Sequence, residues 1–167
     1  MCGGPGKLIP KEVQNYIKWS EMDGDFRKMR FIPVLAVVSA RRKQTTDSLS
    51  TAITNQLMFL AQRHREHLAI LPEGQIDENG QVQKYRRQPP LLYGIIVAQT
   101  MAIFVTLDSA NPEASVRHMT HFDFKDKNMD VWNGFAVAFI VTMSKNYIMS
   151  IKDELEVDDT PDTDVDA

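Results

Sequence analysis

Apolar residues follow two rhythms along this chain, and the switches between them outline its elements. In residues 11–19, Val13, Tyr16 and Ile17 fall on one side of a helical period. That predicts a short amphipathic helix opening after Pro10. Asp23-Gly24-Asp25 reads as a turn. Over residues 31–40 the periodicity gives way to a near-continuous apolar run of Ile32, Val34, Leu35, Ala36, Val37 and Val38. Such runs belong to strands covered on both faces, so a sheet with helices packed against it is expected. Thr46, Asp47 and Ser48 then offer helix N-caps. Leu49, Ala52, Ile53, Leu57, Leu60 and Ala61 recur at helical spacing, which predicts a helix of about 18 residues ending at His67.

The second half is richer in strands. Residues 67–71 form a candidate strand start, and residues 73–87, with Asn79-Gly80, read as a long loop or an irregular β-hairpin. Residues 91–98 and 102–107 predict two buried strands joined at Gln99-Thr100, and residues 116–124 an edge strand. A last helix is expected over residues 131–151, with Trp132, Phe135, Ala136, Phe139, Ile140 and Met143 on its core-facing side. Helix, strand, helix, strands, helix is the order of an α/β (α+β layered) domain sharing one core.

Composition narrows this picture. At 167 residues, with 43% hydrophobic and 25% charged side chains, the chain is of single-domain size and globular in character. A formal net charge of −3 argues against bulk attraction to nucleic acid. The acidity is concentrated in residues 153–167, so the body keeps a slight basic excess and a modest nucleic-acid surface remains open. The expected organisation is a disordered stretch over residues 1–10, one domain over 11–152 and a disordered acidic tail over 153–167.

A single cysteine, Cys2, excludes an intramolecular disulfide and a Cys-rich zinc site; it reads as an exposed, incidental thiol. The first residues hold no apolar stretch of the secretory kind, and position 2 is not glycine, so an intracellular protein is expected. Residues 88–107 carry no charge, yet Pro89, Pro90, Gly94 and the β-branched content favour two strands over a membrane helix. No membrane partner is expected.

Four segments carry a family resemblance: Phe31-Ile-Pro-Val-Leu-Ala-Val-Val-Ser-Ala-Arg, Ala52-Ile-Thr-Asn-Gln, Pro90-Leu-Leu-Tyr-Gly-Ile-Ile-Val and Asp130-Val-Trp-Asn. Together they resemble the restriction-endonuclease-like PD-(D/E)XK superfamily, and most of all its fungal nuclease-like proteins. The resemblance implies a mixed sheet flanked by helices. It also implies a magnesium site built from one upstream acid and a second acid two residues before a lysine. Carried onto this chain, the second acid falls on Ser39 and the lysine on Arg41, while Gln56 matches the family's helical glutamine. Asp25, with Asp23 beside it, is the nearest upstream acid, although the strand expected before Phe31 is short or missing. Serine is a poor ligand for a hard cation, and arginine keeps the charge without the compact ammonium.

The expected function is therefore that of a degenerate, non-catalytic nuclease-like domain binding DNA or RNA. One alternative is a protein-interaction module, with the acidic tail as its contact. The other is a residual magnesium-dependent nuclease recruiting Asp25 and Asp47. Candidate nucleic-acid contacts are two basic clusters, Arg41, Arg42 and Lys43, and Lys84, Arg86 and Arg87, each of which also reads as solvated loop charge. His64 with His67, and His118 with His121, are spaced by three residues. The second pair lies in an extended segment that places its rings on opposite faces, so surface histidines are expected in place of a zinc site.

Overall fold

The computed structural model describes residues 5–41, 43–70, 75–76, 78–126 and 130–158. In chain order the elements are α1 (Pro5–Asp23), β1 (Met29–Arg30), β2 (Leu35–Ser39), α2 (Thr46–Leu68), β3 (Gln75–Ile76), β4 (Val82–Gln83), β5 (Leu91–Ala98), β6 (Met101–Asp108), β7 (Arg117–Asp123), α3 (Asp130–Ser150), a 3-10 turn at Lys152–Glu154 and β8 (Glu156–Val157). The fold is mixed α+β. Its main sheet has the order β2-β5-β6-β7, and short pairs β1-β8 and β3-β4 lie outside it. β2 runs parallel to β5, from Leu35 opposite Tyr93 to Ser39 opposite Val97, and the remaining neighbours are antiparallel. Parallel neighbours need a long crossover, which α2 provides.

Strand alternation divides the core between the two faces of this sheet. Leu92, Ile96, Val105 and Leu107 pack with Ala36 against Leu49, Ile53, Leu57 and Leu60 of α2. Tyr93, Ile95, Val97 and Phe104 face the other way, onto Val13 of α1 and Val137, Ile140 and Val141 of α3. The apolar run of β2 is thus covered on both faces as its composition predicts, although β2 stands at one edge of the sheet.

Several boundaries differ from expectation for identifiable reasons. α1 opens at Pro5, not after Pro10. Proline lacks only one N–H, and a single missing bond near a helix start does not stop the helix. Regular pairing in β2 covers only Leu35–Ser39, because Pro33 cannot donate to a ladder. Residues 67–70 continue α2 and then make a single bridge, Ala69 to Tyr85, so no strand forms there. Residues 153–158, expected to be disordered, fold back instead. β8 pairs with β1, Asp158 N donates to Lys28 O, and Arg30 Nε lies 3.1 Å from Asp158 Oδ1. Cys2, Arg42 and the acidic residues beyond Asp158 lie outside the described residues.

The largest correction concerns α3. Trp132 (65% exposed), Phe135 (62%) and Phe139 (62%) point outward, not into the core. The buried set is Asn133, Val137, Ile140, Val141, Ser144 and Ile148. The sheet already brings Tyr93 and Phe104 to this face, which leaves room for aliphatic side chains of moderate size. Asn133 fixes the rotation of the helix by donating to Asp123 O at 3.1 Å. Among the described residues no helix is long and apolar enough to cross a membrane.

Gly94 sets the distance between α2 and the sheet. A Cβ there would stand 2.6 Å from Val105 Cγ2 and 2.9 Å from Ile53 Cγ1. Replacing Gly94 by Ala is therefore expected to destabilise the fold by about 1–3 kcal/mol. Urea denaturation with an unchanged slope and a lowered midpoint is the check; a midpoint equal to the parent's would refute the tight approach.

Candidate functional site

The main candidate site forms where β2 hands over to α2. Ala40 N still reaches Val97 O at 2.8 Å, extending the pairing with β5 by one bond. The chain then turns. Arg41 N donates to Gln44 Oε1 and Gln44 N returns a bond to Arg41 O, both at 3.1 Å. Lys43 adopts φ +68°, in the left-handed region. Thr45 caps α2 by accepting from Ser48 N at 3.3 Å. These contacts stiffen a two-sided turn and present its side chains to an open cleft of about 580 Å³. Ser39, Arg41, Lys43, Gln44 and Gln56 line it, with Val37 and Val38 as an apolar floor.

The cleft therefore brings together four of the positions singled out by the sequence, Ser39, Arg41, Lys43 and Gln56, and adds Gln44. Its chemistry is two cations, two amides and a hydroxyl, with no carboxylate in the lining. Such a set accepts a phosphate through charge and hydrogen bonds. It does not fit magnesium, which needs carboxylate oxygens. Asp25 is elsewhere, in the turn after α1, with its Oδ2 3.4 Å from Lys152 Nζ. Asp47 sits in the first turn of α2, where an acid favours the helix dipole, and does not line the cleft. Among the described residues no three His, Cys, Asp or Glu side chains gather in a metal-binding group.

The second basic cluster does not join the first. It lies at the other end of α2, roughly 30 Å away by the length of that helix. There Lys84 stands over the Tyr85 ring at 5.6 Å. Arg86 Nη2 donates to His67 O at 2.7 Å, satisfying a carbonyl at the helix C-terminus. Arg87 Nη1 donates to Glu154 Oε1 at 2.8 Å. Two of these three cations are thus hydrogen-bonded within the fold, and the third rests on an aromatic ring.

Both histidine pairs depart from expectation. A register shift between Phe104 and Val105 sets Met119 out of the β6–β7 ladder, so His118 and His121 share a face with ring centroids 5.6 Å apart. His64 is buried, at 3% exposure, not on the surface. Its Nε2 lies 3.0 Å from Pro33 O, and since a carbonyl only accepts, Nε2 carries the proton. His64 shares the helical face of Leu57, Leu60 and Leu68, a signal present in the spacing itself. Gln44 had no comparable signal, because its role depends on the turn closing around it.

No protein family, curated protein or solved structure was found to match this chain.

Burial holds the His64 pKa below the ordinary 6.5, reinforced by nearby His67, Arg63 and Arg87 and partly offset by the Pro33 carbonyl. The folded state thus takes up its proton at a lower pH than the unfolded chain. Between those two values the unfolded chain binds more protons, so stability is expected to fall as pH drops below about 6.5. Comparing urea midpoints at about pH 7.5 and about pH 5.5 in the parent and in His64→Gln tests this. The parent should lose more than the variant, and equal losses would show that His64 is not responsible.

Proposed function

We propose that this chain is a non-catalytic, restriction-endonuclease-like domain that binds DNA or RNA through the cleft at the end of β2. The observation that carries this reading is the composition of that cleft: Arg41 and Lys43 beside Ser39, Gln44 and Gln56, with no acid among them. Support for the fold comes from a mixed sheet between helices, and from β2 and β5 running parallel with α2 as their crossover. A phosphate backbone needs what the cleft offers, positive charge and neutral donors. A hydrolytic reading would need a carboxylate next to Ser39, and both Asp25 and Asp47 stand outside the lining.

A second reading, a protein-interaction module, is favoured by α3. Residues 131–144 carry no charge, and Trp132, Phe135 and Phe139 form an exposed apolar stripe. Contiguous apolar surface of this kind marks interaction sites.

Fluorescence anisotropy with short duplex and single-stranded oligonucleotides over a sodium chloride series tests the nucleic-acid reading. Binding should weaken with salt at a logarithmic slope of about −2, as two cation–phosphate contacts require. The double variant Arg41→Gln, Lys43→Gln should bind about tenfold more weakly with a shallower slope. No cleavage is expected in magnesium or manganese. Absence of binding at every salt concentration, or an unchanged affinity in the double variant, would overturn the proposal.

A further inference from the structure

At the opposite end of the sheet a second cleft, of about 340 Å³, is bounded by the last turns of α2, the end of α3 and the returning segment before β8. Pockets for small ligands begin at about this volume. Its polar wall is unusually cationic: Arg30, Arg63 and Arg87, with His64 and His67 beside them, against Glu154 and Glu156. Phe31, Ile32, Ile151 and Leu155 supply an apolar wall.

Arg87 shows what the polar wall is built to hold. Its side chain is two-thirds withdrawn from solvent, at 31% exposure. It donates through Nη1 to Glu154, while its Nε is buried with no acceptor among the described residues. A buried, charged donor left unmatched is costly, and a guanidinium is best satisfied by an anion whose two oxygens span Nε and a terminal nitrogen. Glu154 meets it through one nitrogen only. Glu154 is also 64% exposed, so solvent screens the pair and the carboxylate is free to swing away.

We propose that this cleft binds a small ligand carrying a carboxylate or phosphate on an apolar body, and that Glu154 occupies the anion's position until the ligand displaces it. The ligand's charged end lies on Arg87, with Arg63 and His67 at the mouth, and its apolar body lies on Phe31 and Ile151. The C-terminal segment acts as a built-in competitor, held over the cleft by the pairing of β8 with β1.

Heteronuclear NMR on the full chain, titrated separately with phenyl phosphate, benzoate and inorganic phosphate, tests this. Saturable shifts are expected at His67, Tyr147 and Leu155, with the two aromatic probes binding more tightly than inorganic phosphate; their ranking identifies the preferred anion. Glu154→Gln should bind about tenfold more tightly than the parent, because the internal competitor is gone. Arg63→Gln, at an exposed position, should weaken binding while the rest of the spectrum stays folded. The double variant at Arg41 and Lys43 should bind the probes as the parent does, which keeps this site separate from the nucleic-acid cleft. No saturable shift in Glu154→Gln with any probe would overturn the site, and equal affinity in parent and Glu154→Gln would overturn the displacement.

Discussion

The parallel pairing of β2 with β5 is the constraint on which the rest of the structure depends. Five residues of register, Leu35–Ser39 against residues 93–97, oblige the chain to cross from one strand to the next through α2. That crossover works only because α2 can approach the sheet closely over Gly94, where Ile53 and Val105 fill the space a side chain would take. Once α2 is seated, its two ends fix both clefts. The N-terminal end closes the turn of Arg41–Gln44 beside Ser39, and the C-terminal end brings His64 and His67 toward Arg87 and Tyr147. Neither site could form if α2 were displaced by a turn.

The two ends of α2 are chemically unequal, and the difference lies in which cations are already partnered. Arg86 is spent on a helix carbonyl and Arg87 on Glu154, so this end presents charge through a framework of internal bonds. At the other end the turn is held by backbone and Gln44 contacts, and among the described residues the charged heads of Arg41 and Lys43 take no part in that scaffolding. A count of basic residues treats the clusters as equivalent. Their hydrogen bonds do not.

Much of the fold was legible because burial on both faces leaves a strong mark on composition. The runs at 35–39, 91–98 and 101–108 could hardly be anything but covered strands, and the periodicity of α2 runs true from Leu49 to Leu68. Ser39, Arg41 and Gln56 were grouped by the family resemblance, and they meet because β2 leads through a short turn straight into α2, whose third turn carries Gln56 back over the strand end. What was not legible depends on contacts distant along the chain. Whether Asp25 belongs with Ser39 is decided by where α1 ends relative to the sheet, and the turn after α1 leaves its side chain 95% exposed and outside the cleft. The single extra residue at Met119 reverses the parity of a strand, and no local pattern announces it.

α3 shows the same limit from the other side. A helix apolar all round has no periodic signal to say which face meets the sheet, so the largest side chains were the natural choice for the core. The decision was made by the partner surface. Tyr93 and Phe104 already bring aromatic bulk, so Val137, Ile140 and Val141 fit, and Trp132 and Phe139 do not. Asn133 then anchors that rotation to Asp123 O, since turning the helix to bury the aromatics would break its bond and drive a polar amide elsewhere. The exposed stripe is therefore a consequence of the core being full. Any partner that covers it must bring its own complementary apolar surface.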